Sequence, residues 1–186
     1  MRVIGGEFRS RRLKSLPGDA TRPTPDRLRE TLFDILGPQI EGAVFLDGYA
    51  GSGAVGIEAL SRGAAHALFL ETRQAAFKII RENLAALGLE QRATVLFGPV
   101  LPRVGHNTAD IVFLDPPYAM TREYPAVLAA FANTPPPLLI VQHSVREALP
   151  DSTGVLMRTR IVRQGDNALS FYAPEGVRIS DSSSGQ

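Results

Sequence analysis

The stretch Val44-Phe-Leu-Asp-Gly-Tyr-Ala-Gly-Ser-Gly-Ala-Val-Gly-Ile-Glu-Ala-Leu-Ser-Arg62 reads as a buried strand, a glycine turn and a helix, and it decides the fold. Val44 to Leu46 form a short apolar run suited to a central parallel strand, and Asp47 falls where that strand should end. Gly51, Ser52 and Gly53 turn the backbone tightly and leave its amides open to a ligand. Ala54 to Arg62 carry Val55, Ile57, Ala59 and Leu60, which suits a helix packed on a sheet with its N-terminus facing the turn.

Outward from this unit the pattern repeats. Ala67 to Glu71 is a second buried strand ending in an acid, and Gln74 to Leu87 is an amphipathic helix stopped by Gly88. Ala93 to Phe97 is a third strand followed by Gly98-Pro99. Asp110 to Leu114 is a fourth and runs into Asp115-Pro116-Pro117-Tyr118. Glu123 to Phe131 reads as helix, Leu138 to Val141 as a fifth strand, and Val155 to Val162 with Ala168 to Tyr172 as a hairpin turned at Gly165-Asp166-Asn167. Upstream, residues 2–16 alternate apolar and basic positions around Gly5-Gly6, which predicts a short hairpin with its arginines in solvent. After a turn-rich connector, Thr24 or Asp26 can cap a helix through Leu28, Leu32, Phe33, Ile35 and Leu36 that ends at Gly37-Pro38.

Strands alternating with helices predict an α/β protein with a doubly wound, mostly parallel sheet, to which the closing hairpin adds one antiparallel strand. Residues 1–175 read as one domain, residues 1–20 being a basic extension of it, and residues 176–186 as a disordered polar tail. Asp47, Glu71, Gly98 and Asp115 all fall at predicted strand ends, so they should line one crevice.

With 186 residues and 44% apolar side chains the chain can bury a sizeable core. It shows neither a membrane-length apolar run nor a secretory signal, and a cytoplasmic protein is expected. The absence of cysteine excludes disulfides, thiolate zinc sites and a cysteine nucleophile. His66, His106 and His143 lack ligand spacing and read as surface or strand-end residues, so no metal is expected. The net charge of +1 is uneven, with +4 in residues 1–30 and −3 in the remainder. A basic arm on a near-neutral body suits either a polyanion docking there or a solvated arm with no partner.

Gly51-Ser-Gly-Ala-Val-Gly56 matches the letters of a dinucleotide fingerprint, and Glu71 lies where a ribose-binding acid would follow. Two details favour S-adenosylmethionine. Asp47 precedes the glycines, and the strand ends before them. That cofactor has a sulfonium and an amino acid end but no pyrophosphate, so an acid beside the turn can hold the cationic end directly or through water. Glu71 can take both ribose hydroxyls. The bland alternative is a tight strand-to-helix turn that binds nothing.

Asp115-Pro116-Pro117-Tyr118 after a buried strand carries the chemistry. An exocyclic nucleobase amine is a poor nucleophile because its lone pair is delocalised into the ring. The Asp115 carboxylate and the Pro116 carbonyl are two acceptors that can take both N–H bonds and favour the tetrahedral amine. The prolines stiffen the loop, and Tyr118 offers a face on which a base can stack. Methyl transfer is then a displacement governed by positioning. A rigid turn after a strand is the alternative, and the cofactor turn upstream argues against it.

The chain resembles the bacterial RsmD family of 16S ribosomal RNA (guanine-N2) methyltransferases. The matches are Arg2-Val-Ile-Gly-Gly6, Arg22-Pro-Thr-Pro-Asp-Arg-Leu-Arg-Glu-Thr-Leu-Phe33, Asp47 to Arg62, Asp115-Pro-Pro-Tyr118 and Gly165-Asp-Asn-Ala-Leu-Ser-Phe-Tyr172. The resemblance implies a Rossmann-like methyltransferase fold, with helices on both faces of a seven-stranded sheet of order 3-2-1-4-5-7-6. It implies methylation of one guanine N2 in 16S RNA or a small-subunit assembly intermediate, by a monomer, with the base turned out into the pocket. It implies cofactor contacts from Thr24, Arg27, Asp47, Gly48, Tyr49, Ala50, Gly51, Ser52, Gly53, Glu71, Thr72 and Gly98. It further implies catalysis by Asp115, Pro116, Pro117 and Tyr118, and RNA contacts from Arg2, Arg9, Arg11, Arg12 and Arg22. Two positions depart from the family: Gly98-Pro99 stand where a polar or acidic residue and a small one are common, and Arg73 where a second acid is frequent. The competing functions are a DNA adenine-N6 methyltransferase, a nicotinamide-dependent reductase and a non-catalytic RNA-binding module.

Overall fold

The computed structural model describes residues 1–16, 26–104, 108–117 and 120–176. The readings at Arg22, Thr24, His106 and Tyr118, and on the tail beyond Gly176, lie outside the described residues. Helix α1 (Asp26–Leu36) precedes strand β1 (Val44–Gly48), α2 (Ala54–Ser61), β2 (His66–Glu71), α3 (Gln74–Leu87) and β3 (Ala93–Phe97). There follow α4 (Leu101–Val104), β4 (Ile111–Leu114), α5 (Glu123–Ala130), β5 (Leu138–Ser144), β6 (Ser152–Thr153), β7 (Leu156–Gln164) and β8 (Asn167–Pro174). One sheet runs in the order β3-β2-β1-β4-β5-β8-β7-β6. Strands β1 to β5 are parallel, and β8 returns antiparallel to both β5 and β7.

Seven of these strands stand in the order the family resemblance implies. The eighth, β6, is two residues long, too short for any alternation to show in sequence. It forms because Arg158 folds the chain back: its amide donates to the Asp151 carbonyl at 2.7 Å and its guanidinium pairs with the Asp151 carboxylate. The fifth strand also runs three residues past the expected Val141. Gln142 and His143 look like a strand end by polarity, yet both are buried, and the His143 ring meets the Ser170 hydroxyl of β8 at 2.9 Å. His143 is therefore an interior residue, not a surface one.

Alternate residues of the central strands point to opposite faces. Phe45, Phe113 and Ile140 pack beneath α1 with Leu28, Leu32 and Phe33. Leu46, Val112, Leu114 and Val141 pack on the other face with Tyr124, Val127 and Leu128 of α5. A sheet covered on both sides explains why its strands read as continuous apolar runs. Among the described residues no helix is long and apolar enough to cross a membrane.

The N-terminal segment folds back on itself in a short hairpin: Arg2 and Arg12 form an antiparallel bridge, Val3 donates to the Arg11 carbonyl at 3.0 Å, Leu13 to the Met1 carbonyl at 3.0 Å and Ser10 to the Val3 carbonyl at 2.9 Å. The amides around its turn are held by α2. Ile4 and Gly5 donate to the buried Glu58 carboxylate of α2 at 2.8 and 2.7 Å, and Glu7 and Phe8 donate to the Ser61 carbonyl and hydroxyl. Gly6, at φ +74°, lies so close to α2 that a Cβ there would stand 1.9 Å from the Ser61 carbonyl oxygen. Arg29 of α1 completes the joint: fully buried, it donates to the Arg2 carbonyl at 2.6 Å and lies 3.7 Å from Glu58. Burial lowers its pKa and the Glu58 and Asp26 carboxylates oppose that shift. Val3 and Leu13 are buried against α2 and α3, while Arg2, Arg9, Arg11 and Arg12 are exposed, as the sequence predicts. Glu58→Ala, which strands two amides and a buried guanidinium together, should cost about 3–5 kcal/mol in urea denaturation.

Candidate active site

Strand β1 ends in Asp47-Gly48, and the chain turns through residues 49–53 into α2. Gly53 is the residue before the helix, at φ +78°, and has no side chain with which to cap it. Asp47 supplies the cap from the strand below: its Oδ2 accepts the Gly56 amide of the first helical turn at 2.8 Å. The carboxylate is 2% exposed. Burial raises its pKa well above the ordinary aspartate value, the Gly56 amide pulls the other way, and the charges of Asp115 and Glu71 raise it further. Asp47 therefore holds the turn from beneath, and this is a different place from an open ligand for a cationic group.

The glycines divide by face. Gly51, at φ +58°, would leave a Cβ with no atom nearer than 3.8 Å. Gly53 and Ser52 are buried, and a Cβ on Gly53 would press on Ile80 and Phe69 at 3.3 and 3.4 Å. Gly48 is closed as well, since a Cβ there would stand 2.3 Å from Leu114. Tyr49 adopts φ +63°, rare for a residue with a side chain, and Ala50 is half-buried beside it.

Glu71 ends β2 one strand away. Its Oε2 accepts the Gly51 amide at 2.7 Å, and its Oε1 accepts the Thr72 and Arg73 amides at 2.9 and 2.8 Å. With Oε1 fully used, Oε2 keeps one acceptor position, so the two-handed grip on a ribose expected of Glu71 is reduced to one bond in this arrangement. Thr72 is exposed beside it. Gly98 directly follows β3, its amide donating to the Glu71 carbonyl at 3.0 Å; at φ +134° it lies beneath Arg103, whose guanidinium would be 3.0 Å from a Cβ. Arg27 is exposed on the first turn of α1.

Strand β4 pairs with β1 so that Leu114 lies level with Gly48, and the Asp115 amide reaches the Gly48 carbonyl at 3.4 Å. Asp115 is half-exposed, Pro116 buried and Pro117 exposed. The loop is joined to α5 by two turns, Met120 donating to the Pro117 carbonyl at 2.7 Å and Glu123 to the Met120 carbonyl at 2.9 Å. The first turn of α5 then reaches back to both loops. The Tyr49 hydroxyl donates to the Glu123 carboxylate, and burial together with that bond raises the Tyr49 pKa. The buried Tyr124 hydroxyl stands 3.4 Å from the Pro116 carbonyl. Glu123 and Tyr124 carry no motif, and sequence reading places them only in a helix; the one sequence signal is that they follow Tyr118 by five and six residues.

The structure thus brings Asp47, Glu71, Gly98 and Asp115 to the carboxyl ends of neighbouring strands, as the topology predicts. Asp47, Glu71 and Asp115 act on one another electrostatically, yet among the described residues no group of His, Asp and Glu could hold a metal ion. Three carboxylates at one crevice fit a ligand with a positive end and oppose a pyrophosphate, which would add two negative charges to them. On that chemistry the residues fit S-adenosylmethionine.

Comparison with known proteins agrees with this arrangement. The family model described as Conserved hypothetical protein 95 matches residues 1–173. The YlbH protein of Bacillus subtilis is 34% identical over 186 residues, covering 95% of this chain and all of that protein. Ribosomal RNA small subunit methyltransferase D of Escherichia coli K12 is 44% identical over 122 residues, which are 63% of this chain and 60% of that protein. The solved structure of Escherichia coli yhhF superposes with a TM-score of 0.82 at 34% identity, covering 95% of this chain and 99% of that one. The chain belongs to the Conserved hypothetical protein 95 family, the RsmD-type methyltransferases that its motifs resemble.

Proposed function

We propose that this protein is an S-adenosylmethionine-dependent enzyme that methylates the exocyclic N2 amine of a guanine in 16S ribosomal RNA. The observation that carries the reading is the placement of Asp115 and Pro116 beside Gly48, directly after the strand next to the glycine turn. When bound, S-adenosylmethionine supplies an electrophilic methyl group on a sulfonium. The chain's own residues do the rest. Asp47, Gly51 and Glu71 shape the turn that receives the cofactor, with Gly48, Tyr49, Ala50, Ser52, Gly53, Thr72, Gly98 and Arg27 around it; Thr24 is a further cofactor contact that the family resemblance implies. The Asp115 carboxylate and Pro116 carbonyl accept the two N–H bonds of the target amine, and the base stacks on Tyr118. After transfer the amine loses one proton to Asp115 or to water.

The exposed Arg2, Arg9, Arg11 and Arg12, with Arg22, bind RNA phosphates. Arg2, Arg9, Arg11 and Arg12 lie on a segment docked to α2, and the Arg11 guanidinium also donates to the Ala86 carbonyl of α3 at 3.3 Å. The substrate is 16S RNA or a small-subunit assembly intermediate, and the enzyme acts as a cytoplasmic monomer. The relative from Escherichia coli whose name contains the small ribosomal subunit supports this choice of RNA over DNA. A nicotinamide dinucleotide would set its pyrophosphate against the three acids.

In a transfer assay with radiolabelled S-adenosylmethionine and small-subunit particles, Asp115→Ala should lose about 10²–10³-fold in rate, the scale of removing one such transition-state interaction. Label found only in adenine of duplex DNA would overturn the proposal. The pH dependence follows from Asp47. Its folded pKa is raised, so its contribution to stability is complete below the unfolded pKa and is lost as pH rises through the folded one. Because Asp47 ionises above the ordinary aspartate range of about 4, any tightening of S-adenosylmethionine binding that follows its ionisation should fall at higher pH than that, and calorimetry on Asp47→Asn should show the slope flattened. Arg9→Ala with Arg12→Ala should weaken RNA binding and reduce the slope of log affinity against log salt by about 2, since each arginine neutralises one phosphate. Cofactor affinity should stay unchanged in that variant.

A further inference from the structure

The first turn of α5 touches both functional loops, and one of its side chains sits directly behind the proposed reacting centre. Tyr124 is 1% exposed and lies among Val127, Leu128 and Val141, so its ring cannot turn away. The ring also meets His143 edge to face, with centroids 6.4 Å apart and planes at 75°. His143 is itself fixed, by the Ser170 hydroxyl at 2.9 Å and the Ser144 carbonyl at 2.8 Å. At the end of this chain the Tyr124 hydroxyl stands 3.4 Å from the carbonyl oxygen of the buried Pro116.

We infer that Tyr124 is a positioning residue that holds the Pro116 carbonyl in the direction the target amine must meet. This rests on the reading of Pro116 as an acceptor for that amine. A carbonyl oxygen has two lone pairs, so it can accept from Tyr124 behind and from the amine in front. Proline has no amide of its own, so residue 116 cannot anchor itself through an N–H, and a bond to its carbonyl from the protein interior restrains rotation of the 116–117 peptide. At 3.4 Å the contact is long for an O–H···O bond; hydrogen bonds of catalytic groups commonly tighten when substrate is engaged. The effect is on direction and not on acceptor strength, since a second hydrogen bond makes a carbonyl a slightly weaker acceptor.

Tyr124→Phe keeps the buried ring and removes only the hydroxyl. Single-turnover methylation of small-subunit particles should fall about 10- to 100-fold, the range that small misplacements of reacting groups produce. KM for the particle and affinity for S-adenosylhomocysteine should stay within about twofold, because ground-state binding is untouched. A rate equal to wild type overturns the inference. So does a rate loss that follows a parallel loss of S-adenosylhomocysteine affinity and of thermal stability, since that marks a packing role alone. Asp115→Ala is run alongside. If it too methylates normally, the reading of the loop has failed; if it is inactive while Tyr124→Phe is normal, only the role of Tyr124 has failed.

Discussion

The structure depends on a carboxylate placed where water cannot reach it. Asp47 sits in the middle strand of the parallel sheet, between β2 and β4, and one of its oxygens caps the first turn of α2. A side chain at the residue before the helix would do this with less desolvation, but that residue is Gly53, whose Cβ would press into Ile80 and Phe69. The close packing of turn against α3 therefore moves the cap down into the strand. A buried carboxylate with few partners is unfavourable by itself. Two further acids, Asp115 and Glu71, raise its pKa from neighbouring strand ends. A positive group in the crevice would favour the ionised form of Asp47, opposing the burial that raises its pKa.

The same electrostatics accounts for the two departures from the family pattern. An acid at position 98 would add a fourth carboxylate to a crevice where three already oppose one another. Gly98 adds none, and its positive φ lets Arg103 lie across it. At position 73 an arginine replaces the second acid, and its Nε lies 3.5 Å from Glu71 Oε1 while its amide binds the same oxygen at 2.8 Å. Both changes reduce negative charge around the turn.

What was legible in the sequence is what local chemistry determines. Apolar runs bounded by acids and glycines mark β1 to β5 and their helices, because a strand buried on both faces leaves little freedom in composition. Topology then gathers Asp47, Glu71, Gly98 and Asp115, since parallel strands end together. What was not legible depends on partners distant in the chain. Glu58 stands among apolar letters in α2 with nothing to show that Ile4 and Gly5, more than fifty residues earlier, lend it their amides. The hairpin of residues 2–16 is legible in the sequence, and its anchorage on α2 is not. His143 reads as a surface or strand-end residue for the same reason, because its partner Ser170 lies on β8. Tyr124 reads as one more apolar helix position, and only packing puts its hydroxyl behind Pro116.

The N-terminal segment shows how a basic surface can be held chiefly through its main chain. Its backbone is bound to Glu58 and Ser61 of α2, and Asn83 of α3 accepts the Lys14 amide at 2.8 Å. The same Asn83 donates to the Ser52 carbonyl of the glycine turn at 3.0 Å. One buried amide thus joins the segment to the turn below which Asp47 sits. Docking is done mainly by main chain, Val3 and Leu13, with the Arg11 guanidinium on the Ala86 carbonyl and the Lys14–Glu82 pair added at the surface. Under the proposed function, a polyanion bound at these arginines would be placed relative to the turn by hydrogen bonds that do not weaken with salt as exposed charge contacts do. Binding strength and registration would then be separate properties of the same sixteen residues, the guanidinium groups supplying the first and the peptide amides the second.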